Sequence, residues 1–292
     1  MRVYEDLADL IRGGSWPTPL YRLKSFGEKN VWGGKLEFMN PITHSIKDRT
    51  ALSLFQEAMK ATKAGDPIIE ASSGNMAVAL AALSAAYGRR MIAYVSTRTA
   101  AAHKAMLKLL GSEVRERDGG TPDMIDEVRE EARRLHAHHP NQFENPRNYL
   151  IHYEETAREL DEQLLSAGLR VGYIVAGLGT AGHITGLSLY FKEKYGSSMK
   201  VIGVEPLDGI PGIKEFDGNP FREVAKIDEV VKVSLREALA AVKLVAANDG
   251  LLLGPSSGAV VAAIRRLELD GAVGGIFPDD AWKYADLLAR SW

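Results

Sequence analysis

The chain is predicted to fold as an α/β protein of two domains, each an open, mostly parallel sheet flanked by helices. Three observations predict this. Short apolar runs alternate with helical patterns nearly from end to end, the pattern of parallel strands joined by crossover helices. The alternation falls into two series separated by a Pro- and Asn-rich loop at 137–149. The loops that leave several strands are rich in Gly and Ser, which suits ligand binding at the carboxyl ends of a sheet. The expected domains are therefore 1–149 and 150–292, with roughly the first 35 residues a candidate to pack on the second.

The elements follow in order. In "NPITHSIKDRTALSLFQEAM" (40–59), Ala51, Leu54, Phe55, Ala58 and Met59 form the stripe of an amphipathic helix. Ser45 and Asp48 read as its capping box. Lys47 then stands in the first turn, where the helix dipole disfavours a cation and favours a neutral amine. A surface lysine whose long stem carries the charge away would read the same. "PIIEA" (67–71) reads as a buried strand, followed by a helix over 75–87 that Gly88 stops. A strand over 90–96, a helix over 99–111, a strand over 113–117 and a charged helix over 121–137 complete the first series. After the Pro/Asn loop come a helix over 151–167, the strand 171–177, the helix 182–195 and the strand 200–206. Ser234 and Glu237 form a second capping box, opening a helix to about 247. "LLLGPSSGAVVAAI" (251–264) is a strand, a turn and a helix, and a strand over 272–277 and a last helix close the chain.

Composition narrows the function. The 292 residues carry 36 Lys+Arg against 38 Asp+Glu, a net charge of −2, so no broad nucleic-acid or membrane footprint is expected. There is no cysteine, which excludes disulfides, thiolate catalysis and cysteine-based metal sites. The charged N-terminal stretch lacks a signal-peptide core, and the apolar run 76–88 is too short to span a bilayer. A cytoplasmic protein is expected. "HAHH" (136–139) ends a charged helix with no matched carboxylates, so it reads as dipole-complementing histidine rather than a metal site. His44, three residues before Lys47, is open to a cofactor-facing or a solvent-facing role.

Three strand-end loops carry the candidate chemistry. "ASSGNMA" (71–77) leaves a strand and opens a helix, so its N–H groups with Ser72, Ser73 and Asn75 suit a carboxylate or phosphate; a plain N-cap would explain the same residues. "GLGTAGHITG" (177–186) matches the dinucleotide fingerprint at Gly177, Gly179 and Gly182, with Glu205 at the end of the next strand. An NAD-binding oxidoreductase is one reading of it. Any phosphate would suit the N–H groups from Gly179 to His183 equally. The loop before Ser256 and Ser257 is the third, and its spacing names no ligand.

Taken together with Lys47, these segments resemble the fold-type II enzymes that use pyridoxal 5'-phosphate (PLP), a tryptophan synthase β-like fold. Within them the chain is most similar to the cysteine synthase group of O-acetylserine and O-phosphoserine sulfhydrylases. The likeness runs from "SWPTPLYRLKS" (15–25) through "KLEFMNPITHSIKDR" (35–49), "EASSGNMA" (70–77), "QFENPRN" (142–148), "HYEETARE" (152–159), "GLGTAGHITG" and "IGVEP" (202–206) to the serine loop at 256–258. The resemblance implies that Lys47 is the Schiff-base lysine and that Asn75 faces the cofactor's phenolic oxygen. It places the phosphate on Gly179, Thr180, Ala181, Gly182 and His183, and the pyridine nitrogen on Ser256, with Ser257 the adjacent alternative. The substrate carboxylate is expected at Ser72, Ser73, Asn75, Met76 and Gln142. A hydroxyl at the pyridine nitrogen makes a weaker electron sink than a carboxylate, which favours β-elimination over transamination. The implied reaction is β-replacement: an activated serine loses its Cβ group to give an α-aminoacrylate, and sulfide adds to form L-cysteine. A serine/threonine dehydratase and a cystathionine β-synthase-like enzyme share the scaffold. The family also implies a homodimer.

Three departures from the family pattern bear on the site. Met76 stands where a threonine is usual, leaving only its backbone N–H. The phosphate loop reads Gly-Thr-Ala-Gly-His, so Ala181 must adopt its backbone angles with a Cβ present, and His183 offers an imidazole in place of a hydroxyl. The segment after 206 is short and carries Lys214 and Arg222, either of which could meet the phosphate of O-phosphoserine.

Overall fold

A computed structural model describes residues 2–291 apart from 27–29, 32, 73 and 270. Ten strands form among the described residues: β1 (Leu20–Tyr21), β2 (Asn30–Val31), β3 (Gly34–Leu36), β4 (Ile68–Ala71), β5 (Met91–Ser96), β6 (Glu113–Arg117), β7 (Val171–Gly177), β8 (Lys200–Pro206), β9 (Glu229–Val233) and β10 (Gly271–Phe277). The chain divides into two compact units. One comprises Met1–Trp16, Asn40–Thr43 and Lys47–Asn148, the other Pro17–Met39, His44–Ile46 and Tyr149–Trp292.

The first unit is built on the parallel sheet β4-β5-β6. β4 and β5 are buried on both faces, and their alternate residues serve opposite cores, while the edge strand β6 is only partly buried. Ile68, Met91, Ala93 and Val95 pack with the helices Lys47–Ala61, Asn75–Ala86 and Ala101–Leu109. Ile69, Ala71, Ile92 and Tyr94 pack with Met124, Val128 and Ala132 on the other side. The period-2 alternation of β4 and β5 thus has no exposed face, which is why they read as nearly continuous apolar runs. The helix expected over 121–137 begins as a 3₁₀ turn, Thr121–Met124, and becomes α-helical only over Ile125–Leu135. His136 ends it in the left-handed conformation, at φ 51°.

The second unit contains a sheet in the order β1-β3-β10-β7-β8-β9, with β2 also paired to β10. All its pairs are parallel except β1 with β3. The central strands again feed two cores, Val175, Ile202, Val204, Val273 and Phe277 on one face and Ile174, Ala176, Val201 and Ile276 on the other. The helices Leu235–Asp249 and Pro255–Leu267 cover the first, and Ala157–Ser166 and Gly182–Tyr195 the second. The capping box forms as expected: Glu237 N donates to Ser234 Oγ, and Ser234 N donates to the Glu237 carboxylate.

The helix expected over 151–167 is longer and irregular. It starts at Arg147, passes through a π-helical turn at His152–Thr156 and ends as Ala157–Ser166. Gly186 packs against that turn so closely that a Cβ would lie 2.4 Å from the Tyr149 carbonyl oxygen and 2.6 Å from Tyr153 N. No helix among the described residues is long and apolar enough to cross a membrane.

Candidate active site

In the first unit Lys47 is the first residue of the helix Lys47–Ala61 and is half-buried. The loop before it is braced. The Asp48 carboxylate, expected to complete a capping box with Ser45, receives Ile42 N at 2.7 Å and Thr43 N at 3.1 Å, together with the Thr43 hydroxyl. The fully buried Arg49 stacks its guanidinium 4.3 Å from the centroid of Trp16, whose Nε1 donates to Asn40 Oδ1 at 2.8 Å. A buried arginine on an aromatic face and a carboxylate with several donors fix the backbone on both sides of Lys47.

The serine loop lies at the end of β4. Ser72 is buried and donates its N–H to Tyr94 O, and Asn75 opens the helix Asn75–Ala86. Ser73, expected to bind the substrate carboxylate, lies outside the described residues. The Met76 side chain is buried in the hydrophobic core, so only its main chain remains for a ligand. Gln142 is buried, with its carbonyl receiving Asn148 Nδ2 at 2.6 Å. Thr50, one turn along the lysine helix, donates to Asn148 Oδ1 at 3.4 Å. The first unit therefore links the Lys47 helix with Gln142.

In the second unit the glycine loop runs from β7 into the helix Gly182–Tyr195. Gly179 is crowded by backbone, since a Cβ there would lie 2.7 Å from Gly212 O. Lys214 N donates to Leu178 O at 2.5 Å, and Asn219 Nδ2 reaches Gly179 O at 3.4 Å. The segment 210–219 is thus laid along the loop. A Cβ on Gly212 would in turn sit 3.4 Å from Ser256 Oγ. The structure brings together Gly179, Ser256 and the backbone of Lys214. Ser257 Oγ donates to Asp279 O at 3.1 Å, so of the two serines Ser256 is the one facing this segment.

Ala181 adopts φ 61° and ψ 1° as the N-cap of the helix, with its methyl fully buried. The left-handed conformation costs a non-glycine residue about 1–2 kcal/mol. His183 packs its ring edge-on to His152, 6.1 Å between centroids, and His152 Nδ1 lies 3.0 Å from Thr156 Oγ1. Burial lowers the pKa of Lys214, although its side chain reaches the surface. Arg222, the other cation of this segment, is paired with Asp217.

Further residues weighed in the sequence find other places. His44, at φ 49°, is exposed, with Nδ1 3.6 Å from Asp280 Oδ2. Glu205 receives Phe216 N at 3.0 Å and lies 3.4 Å from Lys232 Nζ, so the acid that a nucleotide ribose would need is engaged in holding the loop after β8. His138 pairs with the edge of β4, and burial lowers its pKa. Among the described residues no group of three or more His, Asp or Glu is placed to hold a metal ion. Sequence reasoning missed Glu70, Asn148 and Gly212. Only Glu70 carried a signal, an acid at the end of an otherwise apolar strand.

The residues fit PLP. The first turn of the helix Gly182–Tyr195 has N–H groups without intrahelical acceptors, and the loop 177–186 contains no acidic side chain, a setting for a phosphate dianion. The crowding at Gly179 leaves main chain, and no side chain, facing the loop's neighbour.

The comparisons agree with the geometry. Residues 11–276 match the family described as pyridoxal-phosphate dependent enzyme. Cysteine synthase B of Pseudomonas aeruginosa is 34% identical over 286 residues, covering 92% of each chain. Cysteine synthase B of Escherichia coli is 34% identical, covering 86% of this chain and 84% of its own. An O-acetylserine-dependent cystathionine β-synthase from Helicobacter pylori superposes with a TM-score of 0.88 at 28% identity, covering 98% of both chains. The chain belongs to the PLP-dependent enzymes, with the fold-type II architecture. Within that family it is an enzyme of β-replacement, forming cysteine from an activated serine.

Proposed function

We propose that Lys47 is the Schiff-base lysine of this reaction and that O-acetyl-L-serine or O-phospho-L-serine is the activated serine, with sulfide as acceptor. The observation that carries the reading of the site is Ser256, a neutral hydroxyl set against the segment that lines the glycine loop. PLP, when bound, supplies an electron sink for the bonds at the substrate Cα. A hydroxyl partner at its ring nitrogen leaves that sink weak, which suits loss of a Cβ leaving group more than transamination. Lys47 Nζ takes the Cα proton as the leaving group departs and returns it after sulfide adds to Cβ. Asn75 orients the cofactor's phenolic oxygen. Ser72, Ser73, Asn75, Gln142 and the Met76 N–H hold the substrate carboxylate. The main chain of Gly179, Thr180, Ala181, Gly182 and His183 holds the phosphate, with the His183 ring turned to His152. In this reading the enzyme is a cytoplasmic homodimer, with one domain over 1–149, apart from the segments 17–39 and 44–46 that group with the second unit, and the other over 150–292.

Lys214 favours O-phosphoserine as a second reading of the leaving group, since its backbone is pinned to Leu178 O beside the glycine loop. The test is steady-state cysteine formation from each ester, with wild type and Lys214→Ala. If Lys214 meets the leaving phosphate, the variant loses kcat/KM for O-phosphoserine far more than for O-acetylserine. Equal losses overturn that role for Lys214. Absence of cysteine from both, with a thiol larger than sulfide accepted instead, contradicts the proposal.

A further inference from the structure

Glu70 is fully buried at the end of β4, and the reaction as described makes no use of it. Its two oxygens serve two loops. Oε1 receives Ala71 N at 3.0 Å, one residue before Ser72, and Oε2 receives Gln142 N at 3.4 Å. The imidazole Nε2 of His139 lies 3.5 Å from Oε1. Beyond Gln142 the bonding continues through Asn148 to Thr50 on the lysine helix. Ser72 and Gln142, the residues on which the proposed function places the substrate carboxylate, are 70 positions apart in the chain, and one buried carboxylate ties the backbone of both loops.

The geometry points to Glu70 as a positioning residue for recognition of the amino-acid carboxylate, an inference that rests on the proposed function. A carboxylate is needed because only it accepts on both oxygens. Glutamine keeps the size but turns an NH₂ toward one of the two N–H donors, so one loop must let go. A group that merely filled space would accept that change with a loss of stability alone.

The test is Glu70→Gln in the PLP-loaded enzyme, with KM measured for O-acetyl-L-serine and for sulfide, and the visible band of the cofactor recorded. The inference predicts that KM for O-acetylserine rises about tenfold, the size of one lost hydrogen bond to a charged group, while the sulfide KM and the band stay unchanged. An unchanged O-acetylserine KM with a lowered thermal midpoint overturns it, and so does loss of the visible band. Amide hydrogen exchange on the wild type guards against a variant that does not fold, and it does not depend on turnover. Ala71 and Gln142 N–H should exchange as slowly as the amides of β5; exchange of Gln142 at the rate of an open loop contradicts the inference even if the proposed reaction stands.

Discussion

Gly179→Ala probes the glycine loop through space alone, because Gly179 is not among the residues with positive φ. The new methyl carbon would sit 2.7 Å from Gly212 O, a backbone atom that cannot rotate away. That is about 0.7 Å inside ordinary van der Waals separation, and relief of such overpacking costs about 1–3 kcal/mol. The loop and the segment must part, which strains the Lys214 N to Leu178 O bond and moves Gly212 off Ser256. If this loop holds the cofactor phosphate, the penalty falls on affinity. Titration of PLP into the apoenzyme should show binding weakened about 5- to 150-fold. Gly209→Ala is the control, since a Cβ there meets nothing within 4 Å. A Gly179→Ala enzyme that binds PLP as tightly as the control would refute the assignment of the loop.

Two further outcomes follow from the same geometry. If Lys214 binds a phosphate leaving group it must be protonated, and its pKa is lowered by burial, so affinity for O-phosphoserine should fall as pH rises through a value below the ordinary lysine range; KM for O-acetylserine should stay flat, and parallel profiles would contradict the role. Ser234→Ala removes the N-cap of the helix Leu235–Asp249 and should destabilise the protein by about 1 kcal/mol in urea unfolding. The N–H and hydroxyl of Ser234 hold the Glu237 pKa below its usual 4.5, so this stability is present above that value and is lost as pH falls through the lowered one; the variant should show a smaller acid loss than the wild type.

Much of the second unit's sheet was legible. The strands 171–177 and 200–206 have the bounds the sequence predicts, because runs buried on both faces carry no competing pattern. β1, β2 and β3 were not read. They are two or three residues long, and β3 centres on Lys35, a fully buried lysine whose ammonium donates to Thr18 O and, far along the chain, to Glu159 and Gln163. β9 alternates exposed and buried residues at an edge, and its pairing with β8 is what makes it a strand. The π-helical turn at 152–156 depends on the approach of Gly186, which local periodicity does not encode. The site divides the same way. Lys47 and the strand-end loops announced themselves by residue type and position. The Asn148 link, the Gly212–Ser256 contact and the stacking of Arg49 on Trp16 are long-range and had no local signal.

The role of Lys47 is tested most directly by the visible absorption spectrum of the purified protein and of Lys47→Ala, before and after addition of O-acetyl-L-serine. The wild-type protein should be yellow, with a band that shifts when the ester is added, and the variant should lack that band and form no cysteine. A Lys47→Ala protein that keeps the same band and turns over O-acetylserine would place the cofactor on another lysine and contradict the assignment.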